Sequence, residues 1–144
     1  MLNLQRLFHG LAITSGDNSY RIKPEQYMFS SASPTVFTNS FTCDMSVLAF
    51  LNTKVAKFIS KIINPILNQN VNDTLRLPYC GFVETASDYA LRSCEISKVD
   101  WDSFGTSCDF KHHPLLRNVS TIAEAFDQWQ GECNNRFNQL KANE

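Results

Sequence analysis

The stretch that decides the fold is DMSVLAFLNTKVAKFISKII, residues 44–63 of the 144-residue chain. Its apolar side chains recur every three or four residues, which is the spacing of one face of an α-helix. The side chains predicted to be buried on that face are Leu48, Leu51, Val55, Phe58, Ile59 and Ile62. Asp44 has the chemistry of an N-cap, and Asn64-Pro65 predicts the end, because a residue before proline disfavours helical backbone. The pattern therefore predicts one long helix.

Three lysines, Lys54, Lys57 and Lys61, fall together on the other side of this predicted helix. Such a stripe is more often a solvated surface, but it can also bind phosphate groups. Residues 1–80 carry seven basic and four acidic side chains, a balance of +3, whereas residues 81–144 carry six and ten, a balance of −4. The first half of the chain is therefore the part expected to face a polyanion.

The predicted fold class is α+β, with a small β-rich unit braced by the long helix and a helical segment after it. Three runs before the helix have the alternation or the β-branched and aromatic content of strands: residues 19–23, 27–29 and 35–38. Residues 74–77 alternate in the same way, and Pro78 closes them. The composition changes at Gly81, which divides a predicted recognition unit of residues 1–80 from a helical segment of residues 81–144.

Helices are predicted in the second segment near residues 84–95 and 99–104, the latter capped by Ser97. The last helix has a capping box, because the Thr121 hydroxyl and the Glu124 carboxylate can each accept a bond from an exposed backbone amide. Its apolar stripe is Ile122, Phe126, Trp129, Cys133, Phe137 and Leu140. No stop signal follows the stripe, so we expect a fragment of a longer protein.

Composition and motifs exclude several classes of protein. The chain is 43% apolar and 12% aromatic, which is too much apolar area for a disordered chain. No apolar run is long enough to span a membrane, and no secretory leader is expected. The chain lacks the Gly-x-Gly of a phosphate or cofactor cradle and the Gly-x-Ser-x-Gly of a nucleophile elbow. We expect no catalytic residue and no cofactor in this chain, and a cytoplasmic location.

The remaining candidates for chemistry have simpler interpretations. The five cysteines are odd in number and contain no Cys-x-x-Cys pair, so we expect free, mostly buried thiols and no metal site. Asp100 and Asp102 could act as an acid–base pair, but an acidic turn is the more frequent structure. His112 and His113 could act as bases, but packing in a loop is the more frequent role beside a proline.

Three stretches, in a fixed order, carry a family resemblance. The first stretch contains ITSG at residues 13–16, SYR at 19–21 and YMF at 27–29. The second contains LNTKV at residues 51–55 and NPILN at 64–68. The third contains DWDSF at residues 100–104, HPL at 113–115 and RFNQLKANE at 136–144. Together they resemble the C-terminal part of the PglX-type adenine-specific DNA methyltransferases of bacterial BREX phage-defence systems. Departures occur too: Gln69 stands where an aromatic residue is usual.

The resemblance implies a target-recognition role without catalysis. In that family a Rossmann-like domain binds S-adenosylmethionine, and an Asn-Pro-Pro-Tyr-type motif handles a flipped adenine. This chain has neither motif, so it corresponds to the recognition region and the helical segment after it. The residues expected to contact DNA, weakly in the isolated chain, are chosen by chemistry and position: Arg21, Lys23, Ser31, Lys54, Lys57 and Lys61.

Two alternatives stay open at this point. The chain could be an interaction fragment without DNA binding of its own, which docks on another subunit of the defence complex or on a second copy of itself through the last helix. The residues predicted for that contact are Trp129, Phe137 and Leu140. It could also be a fragment with no activity.

Overall fold

The computed structural model describes residues 7–10, 16–23, 33, 35–36, 38, 40–66 and 68–143. Over these residues the elements are β1 (Leu7–Gly10), β2 (Tyr20–Lys23), β3 (Thr35–Val36), α1 (Phe41–Asn52), α2 (Lys54–Ile63), α3 (Val71–Leu75), α4 (Glu84–Trp101) and α5 (Ile122–Asn143). This arrangement confirms the predicted α+β class. The chain forms two compact units, unit 1 (Met1–Leu91) and unit 2 (Arg92–Glu144), which divide within α4.

The predicted boundary residue, Gly81, lies in the non-helical segment before α4. Its φ is +104°, a backbone conformation in which a Cβ would be strained, so glycine suits the turn.

The three described strands of unit 1 form one antiparallel sheet in the order β2-β1-β3. The strand predicted at residues 19–23 is confirmed as β2, and the run at 35–38 contributes the two-residue β3; residues 27–29 lie outside the described part. Gly10 on β1 pairs with Tyr20 on β2. A Cβ at Gly10 would lie 2.8 Å from Tyr20 Cε1, so the absence of a side chain lets the tyrosine ring cover the strand.

The prediction of one helix over residues 44–63 is wrong, because the helix is broken at Thr53. That residue has extended backbone, with φ of −67° and ψ of 153°, and it ends α1 and caps α2. Its N–H donates to the carbonyl of Phe50 at 3.0 Å, and its hydroxyl accepts from the N–H of Ala56 at 3.1 Å. A threonine that satisfies groups on both sides makes the break favourable, since each helix end otherwise leaves unpaired polar groups.

The predicted N-cap is also wrong: the N-cap is Ser40, four residues before Asp44, and α1 begins at Phe41. The Ser40 hydroxyl accepts from the N–H of Cys43 at 3.3 Å, as an N-cap does. Asp44 instead lies in the first turn, where its buried carboxylate accepts from the N–H of Thr38 at 2.9 Å. This contact ties the residues before the helix to its first turn.

The core of unit 1 forms around α1 rather than along a continuous helix. Its buried apolar side chains include Tyr20, Met45, Leu48, Leu51, Ala56 and Leu77. The predicted burial of Val55, Phe58 and Ile62 is wrong, since these side chains are 63%, 66% and 66% exposed. The break at Thr53 is the cause, because it turns the apolar stripe of α2 out of line with that of α1.

The strand predicted at residues 74–77 is wrong as well, because residues 71–75 form the short helix α3. The Asp73 carboxylate accepts from the backbone N–H of Asn70 at 3.0 Å and from the Asn64 side-chain amide at 2.5 Å. These bonds hold the pKa of Asp73 below its usual value. The hydrogen bonds of a capping side chain favour a helical turn here more strongly than the alternation of four residues favours a strand.

Unit 2 contains the second half of α4 and all of α5. The predicted helix at residues 84–95 is confirmed, but it continues to Trp101, so a separate helix capped by Ser97 is wrong. The start of α5 is confirmed: the N–H of Glu124 donates to the Thr121 hydroxyl at 3.2 Å, and the Glu124 carboxylate accepts from the N–H of Ser120 at 3.3 Å.

Two side-chain hydrogen bonds link the helices of unit 2 in antiparallel order. Arg136 on α5 donates to Asp100 on α4 at 3.3 Å, and Asn143, near the end of α5, donates to Ser93 at 3.3 Å. None of the helices in the described ranges is long and apolar enough to cross a membrane.

Candidate nucleic-acid interface

The exposed side of α2 carries both basic and apolar side chains. Ala56 points into the core and is only 1% exposed, which fixes the orientation of the helix. We call the exposed set the α2 surface, and it consists of Lys54, Val55, Phe58, Lys61 and Ile62. Lys57 is half-buried at its edge. The lysine stripe predicted from the sequence is therefore accessible, and apolar side chains that were predicted to be buried accompany it.

One carboxylate competes for these lysines. Lys61 Nζ lies 2.5 Å from Asp17 Oδ1, in an ion pair whose side chains are 66% and 54% exposed. The hydrogen bond from Lys61 and the positive charges of Lys61 and Lys57 hold the pKa of Asp17 below its usual value. The pair is exposed, so solvent screens it and its contribution to stability is small. A phosphate group that approached Lys61 would have to displace or bridge this pair.

The other predicted DNA contacts have different surroundings. Arg21 is exposed on β2, where it pairs with His9 in the sheet. Lys23 is only 6% exposed, so its ammonium group is not offered to a macromolecule in this conformation. Ser31 lies outside the described residues. The accessible basic candidates of the described part are thus Arg21 and the α2 lysines.

A polar network inside unit 1 fixes the position of α2. The side-chain amide nitrogen of Gln69 lies 3.1, 3.2 and 3.3 Å from the hydroxyl oxygens of Tyr20, Ser60 and Thr74, which share its two hydrogens. Tyr20 and Thr74 share a further bond of 3.1 Å, and burial raises the pKa of the Tyr20 phenol. Gln69, which departs from the family pattern, thus links α2 to the sheet and to α3. Sequence reasoning missed this network because its four members are distant in the chain.

The three residues predicted for a partner contact differ in how far their side chains are exposed. Phe137 is 65% exposed on α5, whereas Trp129 and Leu140 are half-buried. The Trp129 ring packs edge-on against Phe126, with ring centroids 6.0 Å apart, and lies 6.3 Å from the ring of His113. Of the three, only Phe137 presents most of its side chain to solvent.

The acidic and histidine candidates of unit 2 are engaged in local structure. Asp102 accepts from Lys98 at 2.7 Å and from the Ser107 hydroxyl at 2.6 Å, which lowers its pKa, and Lys98 also bonds Asp109. The His113 ring nitrogen Nδ1 accepts from the N–H of Leu115 at 3.2 Å. These contacts support the interpretation of both motifs as loop and helix-end structure.

The cysteines are unpaired, and all five lie in the described part. The prediction that they are mostly buried is wrong: Cys80 and Cys108 are exposed, and the other three are half-buried. Among the residues with described positions, no three His, Cys, Asp or Glu side chains lie close enough together to hold a metal ion.

Comparison with known proteins identifies two relatives, although no family model matches the chain. The adenine-specific methyltransferase PglX of Lacticaseibacillus casei (strain Zhang) is 34% identical over an alignment of 143 positions that covers 92% of this chain and 12% of that protein. The adenine-specific methyltransferase BrxX of Escherichia coli O9:H4 (strain HS) is 28% identical over 118 residues, 81% of this chain and 10% of that protein. The chain spans about a tenth of either relative, and it is related to the PglX-type adenine-specific methyltransferases of BREX systems.

Proposed function

We propose that this chain is a DNA-recognition segment of an adenine-specific DNA methyltransferase and that it acts in the cytoplasm. The observation that carries the proposal is the accessible lysine set of α2, Lys54, Lys57 and Lys61, in a relative of such enzymes. Methyl transfer and the binding of S-adenosylmethionine belong, in this proposal, to parts of the enzyme that this chain does not contain. Its own role is to hold the duplex.

The proposed contact is electrostatic and weak in the isolated chain. A protein that neutralises phosphates releases counterions, and each phosphate contact adds about −0.9 to the slope of log K against log salt concentration. Two to three lysine contacts therefore predict a slope of roughly −2 to −3. Binding would fall by about 15- to 60-fold between 50 and 200 mM salt, so it would be measurable only at low ionic strength.

The test is a salt titration of duplex binding by fluorescence anisotropy. Replacing Lys54, Lys57 and Lys61 by Ala should reduce affinity on all sequences alike and remove most of the salt slope. The matched control removes three exposed charges of unit 2: Arg92→Ala, Lys111→Ala and Lys141→Ala. Equal slopes for the wild type and the α2 variant would contradict the proposal, as would equal losses in both triple variants.

A second candidate function is docking on another protein, either a further component of the defence system or a second copy of the chain. The observation in its favour is the apolar surface of α5, where Ile122, Phe126 and Phe137 are 81%, 44% and 65% exposed. Apolar patches of this kind commonly mark interaction surfaces. Analytical ultracentrifugation of the wild type and of Phe137→Glu tests the self-association arm. If the wild type associates as its concentration rises and Phe137→Glu does not, the result would favour docking. If the wild type and the variant are both monomeric, the result would contradict self-association.

A further inference from the structure

One apolar residue of the α2 surface, Phe58, lies between its two exposed lysines. Phe58 follows Lys54 by four residues and precedes Lys61 by three, and both spacings make side chains neighbours on a helix. Ile62 follows Phe58 by four residues, so the two apolar side chains are neighbours on the helix, next to Lys61. Phe58 and Ile62 are each 66% exposed. An aromatic side chain thus lies between two exposed lysines, Lys54 and Lys61, and Lys61 is paired with Asp17 until a phosphate displaces or bridges that pair.

The helix holds Phe58 in place without covering it. Thr53 caps the first turn of α2, Ala56 is buried beneath it, and the Ser60 hydroxyl accepts from Gln69 at 3.2 Å. These contacts lie on the core side of the helix, so the backbone under Phe58 is fixed while its ring faces solvent. Because the backbone under Phe58 is already ordered, a ligand that contacts the ring would have to order only the side chain.

The charges around the ring favour a nucleic acid as the ligand. Duplex DNA presents phosphates at regular intervals, with apolar sugar and base surface between them. Lysines on either side of an aromatic ring complement that pattern, whereas a protein partner would need acidic groups at both flanks. Proteins that bind DNA commonly combine phosphate contacts with an apolar side chain placed against a sugar, a thymine methyl or a base step.

We propose that Phe58, with Ile62 beside it, makes an apolar contact with a sugar or base of the bound DNA while Lys54 and Lys61 hold the flanking phosphates. The inference rests on the proposed DNA-recognition function and assigns it a non-electrostatic contact. Such a contact releases no counterions, so it contributes to affinity equally at low and high salt. Its loss therefore has a different signature from the loss of a lysine.

The experiment compares Phe58→Ala with the wild type in the same salt titration. We expect Phe58→Ala to bind duplex DNA about 5-fold or more weakly at every salt concentration, with the salt slope unchanged. The control is Phe104→Ala, which truncates an exposed phenylalanine of unit 2 and should bind as the wild type does. Circular dichroism melting confirms that each variant is folded, and Ile62→Ser provides a second variant that should weaken binding in the same way.

The outcomes separate the inference from the function on which it rests. If the wild type binds with a lysine-dependent salt slope but Phe58→Ala and Ile62→Ser match its affinity, DNA recognition stands and the apolar contact is overturned. A change in slope for Phe58→Ala would overturn the inference too, because it would show displaced lysines. If the wild type binds no duplex at 20 mM salt or above, the DNA-recognition function itself fails.

Discussion

The side-chain amide of Asn52 makes both backbone hydrogen bonds of Tyr20 that a neighbouring strand would make. Asn52 Oδ1 accepts from the N–H of Tyr20 at 3.0 Å, and Asn52 Nδ2 donates to the carbonyl of Tyr20 at 3.0 Å. The same amide donates to the carbonyl of Leu48 at 2.9 Å. Among the described strands β2 is an outer strand of the sheet, and the last residue of α1 takes the place of a strand beside it, one residue before the break at Thr53.

Replacing Asn52 by Ala should destabilise unit 1. The change leaves the N–H and C=O groups of a buried residue without partners, which costs about 1–3 kcal/mol for a buried group. Urea unfolding followed by far-UV circular dichroism measures the loss. Asn72→Ala is the matched control, because Asn72 is exposed on α3, and it should unfold within about 0.5 kcal/mol of the wild type. Equal urea midpoints for the two variants would show that the hydrogen bonds from Asn52 to Tyr20 do not contribute to the stability of unit 1.

Thr53 should behave as a side-chain cap. Its hydroxyl accepts from Ala56 and donates to the carbonyl of Phe50 at 2.7 Å, and Thr53→Ala removes both bonds. We expect a loss of about 1 kcal/mol in the free energy of unfolding, with Thr53→Ser close to the wild type because serine keeps the hydroxyl. Thermal unfolding of the two variants tests this. If the alanine variant is as stable as the serine variant, core packing alone would determine where the helix breaks between α1 and α2.

Removing the carboxylate of Asp17 should strengthen DNA binding. In Asp17→Asn the ion pair with Lys61 is lost, so the ammonium group is free to contact phosphate. Affinity at low salt should rise, and the salt slope should steepen by up to about one unit. The control is Asp109→Asn, which breaks a similar exposed pair with Lys98 in unit 2. Anisotropy titrations that show the same affinity for Asp17→Asn and the wild type would place Lys61 outside the contact.

Acid should destabilise unit 2 through two paired carboxylates. The hydrogen bond from Lys98 lowers the pKa of Asp102, and the bond from Arg117 lowers that of Glu132, below their ordinary values of 3.8 and 4.5. A carboxyl whose folded pKa is depressed stabilises the fold above its unfolded pKa, and that stability is lost as the pH falls through the folded value. Melting temperature measured from pH 6 downwards should therefore fall below about pH 4.5.

The double variant Asp102→Asn, Glu132→Gln supplies the comparison for this acid effect. It should melt lower than the wild type at pH 6, and the two should converge towards pH 3. A constant difference between the two proteins across this range would show that the pairs do not couple to folding.

The isolated chain should not bind S-adenosylmethionine. It has no Gly-x-Gly cradle and no adjacent prolines, and the matched part covers only 12% and 10% of the two relatives. Isothermal titration calorimetry of the full chain with S-adenosylmethionine should give no binding heat. Micromolar affinity would contradict the proposed division of roles, in which cofactor binding belongs to other parts of the enzyme.

Local signals in the sequence were sufficient for several elements. The Thr121 and Glu124 cap predicted the start of α5, and the alternation at residues 19–23 predicted β2, because each depends on groups within four residues of one another. The family resemblance was also readable, since it needs only the order of motifs. The exposure of Lys54 and Lys61 agrees with the predicted solvated stripe, although the apolar side chains expected on a buried face are exposed beside them.

Only the tertiary structure decided which apolar face of α2 is covered. The spacing of Leu51, Val55 and Phe58 continues without interruption, so periodicity alone extends the buried stripe across Thr53. In the fold, Asn52 bonds a strand 32 residues away and Gln69 reaches Ser60 and Tyr20, and these contacts orient α2 so that Phe58 faces outwards. The burial of a side chain depends on the residues packed against it, and for α2 those residues are distant in the sequence. Lys23 is buried for the same reason, although the alternation of residues 19–23 predicts only a strand and not which of its side chains are covered.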